Sequence, residues 1–116
     1  MKRLEKLFIE DMRQAIEKIT KYIGDLSFEN FVKDGKTIDA VVRNLEIIGE
    51  ASKNVPEWFK SKYPTILWRE IMGMRNKIAH EYFGIDYEVI WEIVKKDLPE
   101  LEPKIKEIMQ REFTEK

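Results

Sequence analysis

Apolar residues recur at three- and four-residue steps along nearly the whole chain, the period of helices with one buried face. In the first segment Leu4, Phe8, Met12, Ala15, Ile16, Ile19, Ile23 and Leu26 follow that spacing, with charges at most other positions. The pattern predicts a helix over about 4–22, stopped by Gly24. Asp11 sits beside the stripe, either as an edge carboxylate that reaches water or as a buried one holding an arginine. A connection over 26–36 follows, with Asp34-Gly35 as its turn signal and Phe28 and Phe31 as its anchors to the core. A second helix opens at Thr37 as N-cap and turns Ile38, Val41, Val42, Leu45, Ile48, Gly49 and Ser52 inward. Gly49 in that face lets another backbone approach closely, at a helix-propensity cost of about 1 kcal/mol relative to Ala. Arg43, Glu46 and Glu50 share another face, where mutual ion pairing in solvent is the ordinary outcome.

Pro56 suits the first turn of a short helix that carries Trp58 and Phe59. Pro64 ends it. From Thr65 to Phe83, Leu67, Ile71, Met74 and Ile78 keep helical spacing. Gly73 either bends this helix or divides it, and Gly84 is its stop. Asp86 caps a last helix whose stripe is Tyr87, Ile90, Trp91, Val94, Leu98, Leu101, Ile105 and Ile108. Pro99 should kink it, because the bond to the Lys95 carbonyl is lost. No strand pattern is evident. The expectation is an all-α fold, a single domain over 1–116, built as an up-and-down bundle of four main helices plus a short one.

Composition narrows the chemistry. The 116 residues include one histidine and no cysteine. Disulfides, thiolate nucleophiles and Cys-based zinc sites are excluded, as are two-histidine metal signatures. The 21 Lys and Arg balance 22 Asp and Glu, a net charge of −1, unlike a generic DNA-coating protein. No apolar run approaches the roughly 18 residues of a membrane span. Glu5, Glu10 and Asp11 stand where a signal peptide would be apolar, so a cytoplasmic protein is the default.

One stretch concentrates reactive groups: Gly73-Met-Arg-Asn-Lys-Ile-Ala-His-Glu-Tyr82-Phe. It places Arg75, Asn76, His80 and Tyr82 close together. By type the set suits phosphoryl chemistry on RNA. An imidazole can take the ribose 2′-hydroxyl proton or protonate the leaving oxygen, and a guanidinium can hold the charge growing on phosphate. That chemistry requires no metal or cofactor. On a regular helix, however, Arg75 and His80 stand about 140° apart. Either the helix ends near Ala79, or the two flank a cleft, or a second subunit completes the site. The last is favoured, since so short a chain suggests no deep pocket. Taken alone, a single histidine near a helix end is more often structural, and Arg75 could simply pair with Asp11, Glu46 or Glu50.

Longer stretches carry more information. RNLEIIGEAS (Arg43 to Ser52), YPTILWREIMGMRNKIAHEYFGIDYEVIW (Tyr63 to Trp91) and KKDLPEL (Lys95 to Leu101) resemble the HepT-like branch of the HEPN superfamily. The resemblance spans about Asp11 to Leu101, and the ordered words IGEA, GMRN and AHEY carry it. It implies an all-helical, HEPN-like homodimer with facing motifs, acting as a metal-independent ribonuclease toxin. Arg75 and His80 would be catalytic and Asn76 supporting. The implied partner is a nucleotidyltransferase antitoxin that attaches AMP to Tyr82. Two other readings stand beside it: a non-catalytic helical module that docks such a nucleotidyltransferase, and a purely structural helical dimer.

Overall fold

The computed structural model describes residues 2–80 and 84–113, with Lys2, Ala79 and His80 as backbone. The described residues are mainly helical, as the periodicity predicts. Helix α1 spans Lys2–Ile23 and closes as expected at Gly24, whose φ of +49° suits a residue without a Cβ. Of its predicted stripe Met12, Ala15, Ile16, Ile19 and Ile23 are buried, but Leu4 is 55% exposed, and at that end Glu5 and Ile9 turn inward instead. Asp11 is half-buried and, among the described residues, holds no arginine. The arginine on that side, Arg13, is instead held by Glu10 at 2.7 Å and Glu17 at 3.3 Å.

The connection carries a one-turn helix, α2 (Phe28–Phe31), capped by the Ser27 hydroxyl. Phe28 and Phe31 anchor it against Trp91, with ring centroids 5.8 and 5.2 Å away. Helix α3 is Gly35–Asn54. Its N-cap is Asp34 rather than Thr37. One Asp34 oxygen accepts the Thr37 N–H at 3.1 Å and the other accepts its hydroxyl at 2.8 Å. A carboxylate with two acceptors satisfies this end better than Thr37 could, and the two bonds hold the Asp34 carboxyl below its ordinary pKa.

Pro56, in extended backbone, leads into the short helix α4 (Glu57–Lys60). The third long helix of the sequence reading is two five-residue helices, α5 (Trp68–Met72) and α6 (Met74–Ile78), parted at Gly73. After a two-residue antiparallel hairpin comes α7 (Tyr87–Glu92), capped by Asp86 as expected. A π-turn over Ile93–Asp97 then leads into α8 (Leu98–Phe113). The backbone thus widens just before Pro99, where an α-turn would lack an N–H for the Lys95 carbonyl. A second proline, Pro103, lies inside α8.

Helix α1 packs on α3 and α8, and α3 also meets α5 and α6. The buried apolar residues form one cluster. The end of α8 is pinned to the segment after α4. The phenol of Tyr63 donates to Glu112, which also pairs with Lys62 at 2.8 Å. Burial, and then the bond to Glu112, push the Tyr63 phenol up to about 12. No described helix is long and apolar enough to cross a membrane.

The close approach expected at Gly49 is present. A Cβ there would stand 3.2 Å from the Ile71 carbonyl oxygen, a backbone atom that cannot swing aside. Gly49→Val is therefore expected to destabilise the protein by about 1–3 kcal/mol, despite valine's better helix propensity. A lower urea midpoint at unchanged slope is the expected result. A midpoint at or above that of wild type would contradict the tight contact.

Candidate active site

The contact at Gly49 sets α5 and α6 across from α3, and a cleft of about 350 Å³ lies between them. From α3, Arg43, Glu46, Glu50 and Lys53 line it; from the other side come Met72 and Arg75. The α3 residues follow steps of three, four and three, so one stripe of a helix faces the cleft. Three cations meet two carboxylates here. Glu46 and Glu50 do not neutralise Arg75, which makes no ion pair or hydrogen bond among the described residues. Its guanidinium is exposed on α6. It keeps its planar fork of donors available for a phosphate, the geometry that makes Arg–phosphate pairs bidentate and strong. Asn76, the next residue on α6, is likewise exposed.

Helix α6 ends at Ile78, so the chain does not run helically to Phe83. Ala79–His80 forms strand β1, paired with β2 (Gly84–Ile85). Ala79 stands opposite Ile85 and His80 opposite Gly84. The Asp86 N–H closes the hairpin on the Ile78 carbonyl at 2.9 Å. Gly84, expected as a helix stop, serves this return instead, with a φ of +83° that side chains rarely tolerate. The angular separation of Arg75 and His80 on a regular helix therefore does not apply. Of the three arrangements the sequence allowed, the chain shows the helix end near Ala79, and it also places Arg75 in a cleft. Tyr82 lies outside the described residues, and so does the meeting of Arg75 with the His80 imidazole.

The sequence reading grouped Arg43, Glu46 and Glu50 but did not connect them to Arg75. It omitted Lys53, the next step of the same series, and Met72 opposite. Continuing the spacing by three residues would have found Lys53. Nothing in the pattern pointed to Met72, which reads as an ordinary helix residue. Among the described residues no group of His, Asp and Glu could hold a metal ion.

Residues 12–108 match the family described as ribonuclease HepT-like. A candidate RNase of Caldanaerobacter subterraneus subsp. tengcongensis is 49% identical over 105 residues, covering 90% of this chain and 94% of that one. A probable ribonuclease HepT of Thermococcus cleftensis is 49% identical over 108 residues, covering 93% and 98%. A candidate RNase of Methanocaldococcus jannaschii is 44% identical over 107 residues, covering 89% and 88%. No solved structure matches.

Proposed function

Since the chain belongs to the HepT-like ribonuclease family, we propose that it is an endoribonuclease toxin that cleaves RNA without a metal. His80 moves the proton, as base toward the 2′-hydroxyl or as acid toward the leaving oxygen. Arg75 holds the charge that builds on the phosphate, and Asn76 supports it. The observation that carries this reading is the Arg75 guanidinium, unpaired among the described residues, exposed in the cleft and leading within five residues to the only imidazole of the chain. A structural arginine would be expected to find one of the two carboxylates that share its cleft.

A homodimer with facing motifs would bring two copies of His80 together, one for each proton transfer. The regulator would be a nucleotidyltransferase antitoxin that joins AMP to the Tyr82 hydroxyl. That phosphodiester brings a negative charge two residues from His80 in the chain, where it can occupy the cation that the RNA phosphate needs. The action is assigned to the cytoplasm, where RNA and nucleotide donors are found.

The test has two parts. The purified chain should cleave RNA at an undiminished rate in the presence of a chelator. Co-expression with an active nucleotidyltransferase should add the mass of one AMP to the chain, and Tyr82→Phe should remove that gain. Cleavage that the chelator abolishes would exclude the metal-free route. A nucleotidyltransferase that binds the chain and leaves its mass unchanged, with no cleavage at any condition, would favour a non-catalytic docking module.

A further inference from the structure

Met72, at the edge of the Arg75 cleft, also lines a second cavity of about 350 Å³ with Glu57, Lys60, Ser61, Trp68 and Arg69. Lys60 is its unusual member. Its side chain is only 6% exposed, whereas lysine is almost never buried unless paired. The ammonium has three donors to satisfy. One is directed to the Met72 sulfur at 3.2 Å, a weak acceptor. The Glu57 carboxylate forms an ion pair with it at 3.6 Å, longer than a hydrogen bond, from a side chain 87% exposed to water. The Trp68 ring lies 5.9 Å below, adding a modest attraction. No oxygen acceptor of the described residues is within hydrogen-bond reach of this buried charge. Arg69, exposed beside it, makes no ion pair among the described residues.

A phosphate oxygen would supply what this arrangement lacks. A buried cation left short of acceptors is costly to a fold, and an entering anion reverses that cost. Glu57 is no barrier, since an exposed, loosely held carboxylate can turn away into solvent. The two cavities meet at Met72, which stands in the chain between Arg69 on α5 and Arg75 on α6. One single strand could therefore pass from one cavity to the other. We propose that Lys60 and Arg69 form a second phosphate-binding subsite, which holds the RNA backbone beside the scissile phosphate at Arg75. The inference rests on the ribonuclease reading and deepens it, because it assigns the cations that a chain of net charge −1 uses to grip RNA.

The experiment measures binding of a single-stranded oligoribonucleotide to the His80→Ala protein across a salt series. Lys60→Gln and Arg69→Gln are then added separately to that protein. Each is expected to weaken binding and to flatten the plot of log K against log salt by about 0.7, the contribution of one phosphate contact on a single strand. In the active protein each should raise KM with little change in kcat. Arg69 is exposed, so Arg69→Gln carries the test if Lys60→Gln does not fold, as a thermal melt will show. Unchanged affinity and slope in the folded variants, on a parent that binds RNA, would overturn the subsite alone and leave these cations to a protein partner. A parent that binds no RNA at any salt would overturn the ribonuclease reading and the subsite with it.

Discussion

Replacing His80 with alanine is expected to lower RNA cleavage by about 10²–10⁴-fold, the usual worth of a positioned acid or base. Arg75→Ala should cost about 10²–10³-fold, as removal of one donor to a developing oxyanion does. The double variant should be little worse than the weaker single one, because groups that act as a unit do not contribute additively. The reasoning begins with a shortage. The chain has one imidazole and no thiol, so no other side chain has an ordinary pKa that places it between the two protonation states near neutrality. One imidazole cannot serve as base and acid in the same step. If two copies face one another and each supplies one imidazole, a bell-shaped pH profile follows, and mixing His80→Ala chains into the wild type should lower cleavage beyond simple dilution, because a mixed dimer holds a single imidazole. Equal cleavage by wild type and both single variants would falsify the assignment and point to a contaminating nuclease.

The largest effect on stability is expected at Phe59. Its side chain is fully buried, with its ring 5.7 Å from both Trp58 and Tyr63 and stacked on Phe113 at 6.1 Å. It therefore joins α4, the following segment and the end of α8. Phe59→Ala removes that centre and leaves a cavity that three separate segments would have to close together. A loss of about 3–5 kcal/mol is expected. Chemical denaturation measures it, and a loss under 1 kcal/mol would show that the aromatic group is loosely packed. Lys60 is the next residue, so the same substitution should also weaken RNA binding before the protein unfolds globally.

The long helices were legible because their physics is local. The stripe from Met12 to Ile23, the stop at Gly24, the cap at Asp86 and the close approach at Gly49 each follow from residue type and spacing, whereas Leu4 keeps the spacing and yet lies exposed. The cap of α3 was displaced by three residues, because Asp34 and Thr37 are both good caps and only the geometry chooses between them. The end of α6 was hidden. Ile78 and the residues after it keep a helical rhythm, and a two-residue strand is too short to show its own period. Pro99 was read as a kink, but the chain accommodates it with a wider turn that leaves no mark in the sequence. The motif singles out Arg75 in the sequence, but the cleft around it leaves no mark there, since Lys53 and Met72 meet Arg75 only after Gly49 has brought two helices together. Lys60 was the least legible of all, because a lysine is expected in water.

The short ladder between His80 and Gly84 bears on how the protein could be switched. On an unbroken helix the aim of His80 would vary continuously, by about 100° for each residue inserted ahead of it. In a strand, direction has two values, because a slip of one residue turns a side chain to the opposite face. With His80 opposite Gly84, the register of one ladder fixes the backbone position of His80. An inhibitor would not need to fill the cleft or remove the arginine. Shifting the ladder by one step would move the His80 backbone away from Gly84 and strain the 2.9 Å bond from the Asp86 N–H to the Ile78 carbonyl, which joins the ends of α6 and α7.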